Sequence, residues 1–136
     1  AAKYDKAFAV VGGSQIYLKT VPTKLQFNIT KFTVQAGKTY TFILDNPDIT
    51  MHNFLLTKPG KADVVGKLAD ALAATADGIK KHYIPESDLV LFSTIQVPAG
   101  QKIEKKFTAP SKPGDYPFIC SFPGHWQIMR GVMTVK

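Results

Sequence analysis

Cys120, His125 and Met129 lie in a C-x4-H-x3-M pattern near the carboxyl end, within Cys120-Ser121-Phe122-Pro123-Gly124-His125-Trp126-Gln127-Ile128-Met129. A thiol, an imidazole and a thioether form a soft ligand set. One thiolate with two imidazoles and a weak axial thioether suits copper in a one-electron transfer site. The second imidazole must come from elsewhere, and His52, just after the turn-forming run Asp45-Asn46-Pro47-Asp48, supplies it if both loops lie at one end of the fold. Pro123-Gly124 pairs a restricted φ with a permissive one, so the chain can fold back and bring Cys120 and His125 to one ion. Gly131 permits a similarly tight exit.

Each residue alone has an ordinary explanation: a buried thiol, a core thioether, a surface imidazole. With three His and three Met in 136 residues, however, this joint spacing follows a given cysteine by chance roughly once in two thousand trials, diluted several-fold by other acceptable spacings. The same residues also admit a cysteine nucleophile with His125 or His52 as base, a copper store or delivery protein, and a non-redox zinc site. The nucleophile fits less well. Catalytic thiols favour helix N-termini and partly exposed electropositive surroundings, whereas Cys120 follows the apolar run 116–119 and leaves Met129 without a role. Cys120 is the only cysteine, which excludes an internal disulfide, four-cysteine zinc and iron–sulfur clusters.

The elements that must position these groups read mostly as strands. Leu25, Phe27 and Ile29 alternate with polar neighbours, as do Phe32 and Val34, and then Tyr40, Phe42 and Leu44. Further strands are expected at 15–19, 52–57, 93–97, 102–108, 114–120 and 131–136, punctuated by Pro59-Gly60, Pro98-Ala99-Gly100 and the 110–114 stretch. Short strands at this spacing indicate an all-β sandwich or barrel with Greek-key connections. Residues 61–78 break the rhythm: Val65, Leu68, Ala69, Leu72 and Ala76 fall near helical spacing, and Gly78 would close an inserted α-helix. His82, in the polar run Lys80-Lys81-His82-Tyr83, reads as facing solvent.

A length of 136 residues with 45% hydrophobic content suits one domain spanning 1–136, with a core large enough to offset the entropy of ordering the chain. No stretch approaches the ~20 apolar residues of a membrane-spanning helix. The chain opens at Ala1 without a signal-peptide pattern, consistent with a mature or excised product. The net charge of +7 favours acidic partners at low salt. Sixteen of the seventeen basic residues are scattered Lys, with Arg130 the single Arg, so nucleic-acid recognition is disfavoured.

The stretch Cys120 to Gly131, together with His52-Asn53 after a turn and a helical insertion between them, resembles the cupredoxins, and within them the azurin and auracyanin type. The likeness runs from about Leu25 to Lys136. It implies an eight-stranded Greek-key sandwich holding copper in a plane of His52, Cys120 and His125, with Met129 axial and more distant. It also implies a hydrogen bond from Asn53 to the Cys120 loop near Ser121, backbone N–H groups aimed at the Cys120 sulfur, and an electron port at His125 beside Pro123, Phe122 or Trp126. By the same likeness the protein is a monomeric, non-enzymatic electron carrier. It would act in the periplasm or otherwise outside the cytoplasm, in some cases attached to a membrane. Its partners would be redox proteins such as c-type cytochromes or a terminal oxidase or reductase. Two features depart from the azurin pattern. Met51 replaces the glycine that precedes the first His-Asn pair, and the N-terminal disulfide has no cysteines from which to form. Met51 itself reads as loop or patch packing, since a strand would turn its side chain away from that of His52.

Overall fold

The computed structural model describes residues 10–11 and 14–136. Its strands are β1 (Val10–Val11), β2 (Gln15–Lys19), β3 (Lys31–Val34), β4 (Thr39–Asn46), β5 (Leu55–Thr57), β6 (Val90–Ser93), β7 (Gln101–Thr108), β8 (Gly114–Ile119) and β9 (Arg130–Val135), and one helix, α1 (Ala62–Ala73), lies between β5 and β6. They form two sheets, in the orders β1-β2-β4-β7 and β3-β9-β8-β5-β6. The chain crosses from sheet to sheet five times, giving the Greek-key sandwich that the strand spacing implies; without the two-residue β1 the strands number eight.

Alternation decides which side chains fill the space between the sheets. In β4, Tyr40, Phe42 and Leu44 point inward while Thr39 and Thr41 are exposed. From the opposite sheet and its loops come Phe118, Phe54 and Phe27. The Phe42–Phe54 and Phe54–Phe118 ring centroids are 4.5 Å and 5.0 Å apart, so a stack of aromatic rings joins the two layers.

Several boundaries differ from the sequence reading. Leu25, Phe27 and Ile29 form no strand; Phe27 makes only an isolated bridge to Thr20. Thr23 adopts a positive φ of 62° and the 21–28 stretch closes on itself through Val21 N–H to Gln26 O and Asn28 N–H to Lys19 O. Alternating burial is thus met by a looped segment, with Phe27 and Ile29 fully inside. The expected strand at 93–97 lies earlier, at Val90–Ser93, and that at 52–57 shortens to Leu55–Thr57, because His52 and Val97 pair only with each other. The helix ends at Ala73, short of Gly78. Thr75 stops it, donating both its N–H (3.0 Å) and its hydroxyl (2.7 Å) to the Leu72 carbonyl.

Helix α1 covers the outer face of the second sheet at the end of β8. Ala62 and Val65 pack with Leu55, Ile119 and Trp126 in a second small core. A methyl group on Gly66 would overlap the Trp126 indole, so glycine is what lets the helix approach so closely.

Candidate metal centre

Strand register brings the distant His52 to the carboxyl-terminal motif. Antiparallel β5 and β8 pair Leu55 with Ile119 and Leu56 with Phe118. Continuing that register past the strand ends sets Asn53 beside Ser121, and their side chains and backbone complete the connection. Asn53 Nδ2 donates to Ser121 Oγ and Ser121 N–H donates to Asn53 Oδ1, each at 2.8 Å. The expected tie between the loops is therefore present. A third bond, Asn53 Nδ2 to the His82 carbonyl at 3.0 Å, extends it to the 79–84 segment.

At this junction His52, Cys120 and His125 offer ligand atoms all within 4.8 Å of one another, and all three residues are buried. Nδ1 of His52 and Nδ1 of His125 each stand 3.7 Å from the Cys120 sulfur. Metal–sulfur and metal–nitrogen bonds of about 2.3 and 2.05 Å at 120° require an S···N separation of about 3.8 Å. Both sulfur–nitrogen distances therefore match those that a single ion held by the three side chains would need. Met129 is fully buried in the same core as Cys120. Its N–H bonds the His125 carbonyl at 2.8 Å and its carbonyl accepts the Cys120 N–H at 3.0 Å, which closes the loop on itself. Gly124, at φ 85°, makes the reversal between Pro123 and His125.

The electrostatics of the protein without metal follow from dryness. Burial pushes the Cys120 thiol up to about 11, against the smaller opposing effect of hydrogen bonds from the Asn53 and Phe122 backbone N–H groups. These are the amides expected to point at the sulfur. Burial, reinforced by the nearby His52, lowers His125 to about 4, with Asp48 opposing. Thiol and imidazole are thus both uncharged at neutral pH, and a cation that binds here must displace the thiol proton.

Two regions hold the ligands in place. On the Cys120 side, the Trp126 Nε1–H donates to Asp70 Oδ2 on α1 at 2.9 Å, and Arg130 Nη2 reaches Asp63 Oδ1 on its first turn at 3.0 Å. On the His52 side, buried Asn46 donates through Nδ2 to the Thr50 and Val97 carbonyls at 2.9 and 2.8 Å and accepts the Thr20 hydroxyl at 2.6 Å. Asp48 Oδ2 accepts from His52 Nε2 at 2.8 Å. By residue order Asn46 and Asp48 read only as turn formers, because no local pattern marks a turn residue that is also a buried hydrogen-bonding hub.

Two expectations around the site are corrected. His82 does not face solvent. It is half-buried at φ 54°, its Nδ1 accepts the Gln96 N–H at 3.2 Å, and its carbonyl receives both Asn53 and Gln96 side-chain amides. A positive φ aims that carbonyl inward, where the amides need an acceptor. Trp126 is not part of a surface patch, since it is 6% exposed beneath α1. Met51, expected to face away from His52, is 39% exposed while His52 is fully buried. Phe122 remains beside His125, with ring centroids 4.8 Å apart, and Pro123 and Ile128 are exposed near it.

A two-sheet Greek-key sandwich with a His–Cys–His cluster between two loops at one end is the build of a cupredoxin. The family model of copper binding proteins, plastocyanin/azurin family, matches residues 14–136, and the chain belongs to that family. The match starts ahead of Leu25 and so takes in β2 as well. Azurin of Pseudomonas denitrificans is 36% identical over 122 residues, covering 83% of this chain and 91% of that protein. Auracyanin-A of Chloroflexus aurantiacus is 33% identical over 116 residues, covering 83% of this chain and 68% of that protein. The solved structure of auracyanin A, described as a "blue" copper protein, superimposes with a TM-score of 0.80 at 30% identity, covering 90% of this chain and 98% of that one.

Proposed function

We infer that the protein is a type 1 copper electron carrier, with His52, Cys120 and His125 as equatorial ligands and Met129 as the weak axial one. The observation that carries this reading is the pair of 3.7 Å contacts from the Cys120 sulfur to two imidazole nitrogens in a dry pocket. Copper bound there supplies a one-electron Cu(II)/Cu(I) couple. The chain contributes a soft thiolate donor, two neutral imidazoles, and a scaffold whose hydrogen-bonded loops keep the donors from rearranging as the charge changes. His125, 7% exposed beside Phe122, is the ligand nearest the surface and serves as the point of electron entry and exit.

A cysteine nucleophile is disfavoured by the same geometry. Cys120 is fully buried and its thiol is pushed up to about 11, the reverse of an activated thiolate. On this reading the protein carries electrons, and Cys120 serves as a metal ligand rather than a nucleophile. Redox proteins with acidic docking surfaces, c-type cytochromes or a terminal oxidase or reductase, fit its charge of +7. The family likeness supports a monomer working outside the cytoplasm, and no helix among the described residues is long and apolar enough to cross a membrane.

The test is a visible and EPR spectrum of the copper(II) protein. An intense thiolate-to-copper band that bleaches on reduction is expected, and it disappears in Cys120→Ser. A colourless copper(II) complex, or rapid alkylation of Cys120 by iodoacetamide in the metal-loaded protein, would overturn the reading. Zinc in protein purified from its native source would instead favour a non-redox site.

A further inference from the structure

The two imidazoles of the centre have different partners, and the difference lies in Asp48. His52 is fully buried and Asp48 is 4% exposed; Asp48 Oδ2 is 2.8 Å from His52 Nε2, on the side of the ring away from Cys120. The carboxylate cannot turn aside. Its other oxygen, Oδ1, accepts the Thr23 N–H at 3.0 Å and the Ile49 N–H at 2.7 Å, and the Asp48 N–H is held by Asn46 Oδ1 at 3.2 Å. His52 is fixed in turn, exchanging backbone hydrogen bonds with Val97 at 3.3 and 2.8 Å.

A carboxylate with both oxygens accepting requires the proton of neutral His52 to sit on Nε2. The Nδ1 lone pair then faces the Cys120 sulfur, where a metal would bind. The charge balance follows. In the oxidised centre the two positive charges of Cu(II) meet two negative ones, the Cys120 thiolate and the Asp48 carboxylate. Reduction by one electron leaves a net negative charge in a buried site, which a poorly polarisable interior disfavours.

Resting on the copper-carrier reading above, we propose that Asp48 is a positioning residue for the centre: it selects the Nδ1-ligating tautomer of His52 and biases the couple toward Cu(II). Its chemistry is specific to a carboxylate. In Asp48→Asn the amide oxygen goes to the two backbone N–H donors, so the NH2 group faces His52 Nε2 and favours the wrong tautomer as well as removing the charge. Asp48→Ala removes charge and partner without inverting the hydrogen bond.

Three measurements test this. In metal-free protein, 15N NMR of the His52 ring is expected to show the proton on Nε2 in the wild type and on Nδ1 in Asp48→Asn. Copper(II) affinity, by chelator competition, is expected to fall roughly 10–100-fold in Asp48→Asn and less in Asp48→Ala. Potentiometric titration is expected to move the reduction equilibrium toward Cu(I) more than tenfold in both variants, which is 59 mV upward for a one-electron couple. The proposal is overturned if both variants keep the wild-type reduction equilibrium within threefold, or if the metal-free wild type carries the His52 proton on Nδ1. The NMR arm uses no copper, so failure of the carrier reading, seen as a wild type without the intense band, is distinguishable from failure of the role given to Asp48.

Discussion

The two loops that meet at the metal centre are built on opposite plans. The loop from Cys120 to Met129 carries three of the four proposed ligands within ten residues, closes through its own backbone bonds, and leans on α1 through Trp126 and Arg130. The loop from Pro47 to Asn53 carries one ligand and, among the described residues, has no helix packed behind it. It is held by a buried polar network in which Asn46, Asp48 and Asn53 each bond groups distant in the chain. Apolar packing tolerates small losses, whereas a buried polar network leaves unpaired groups when any one member is removed. The His52 side should therefore be the more brittle of the two.

That contrast can be broken most directly at Asn46. Asn46→Ala orphans the partly buried Thr50 carbonyl, the buried Thr20 hydroxyl and the Asp48 N–H, and should lower unfolding free energy by about 4 kcal/mol in denaturant titration. A loss below about 1 kcal/mol would show that water satisfies these groups and that the loop is not brittle.

Protonation probes both loops together in metal-free protein. His125 titrates near 6.5 when unfolded and at about 4 when folded, so between those values the unfolded chain holds more protons and stability rises with pH. The contribution is complete above pH 6.5 and lost as pH falls toward 4. Asp48, lowered overall because bonds from His52, Thr23 and Ile49 outweigh the cost of burial, adds further acid sensitivity below its ordinary value of 3.8. At the alkaline end Cys120 works the other way: its thiol ionises near 9 unfolded and about 11 folded, so stability falls as pH rises through that window. Chemical denaturation across pH should show a plateau between about 6.5 and 9, and stability still rising above pH 7 would contradict it.

The Cys120 side should yield smaller effects. Gly66→Ala drives a methyl group into the Trp126 indole and should cost about 2 kcal/mol, with a shift in the copper absorption as the loop is pushed outward. Asp70→Ala removes only the Trp126 Nε1–H acceptor at a half-open position and should cost about 1 kcal/mol with the absorption unchanged. A larger loss for Asp70→Ala than for Asn46→Ala in the same titration would reverse the ranking of the loops.

Much of this was legible from residue order alone. The inward alternation of Tyr40, Phe42 and Leu44 marked β4 because a pleated strand has a period of two. The C-x4-H-x3-M spacing marked the carboxyl-terminal loop because its members are close enough in sequence for one turn to gather them. At Leu25, Phe27 and Ile29 the alternating pattern marks burial but not backbone, since a looped segment can bury alternate residues as well as a strand can. The placement of His82 and Trp126 escapes local pattern because their hydrogen-bond partners lie 14 and 56 residues away.

Residue order by itself settled the soft donor set, the sandwich class and the inserted helix, all of which rest on short-range spacing and periodicity. Only the folded chain decided that His52 meets Cys120, that α1 backs one loop, and that a turn aspartate becomes the buried partner of an imidazole. Those outcomes depend on strand register and on pairing of buried polar groups, and both are properties of contacts between segments far apart along the chain.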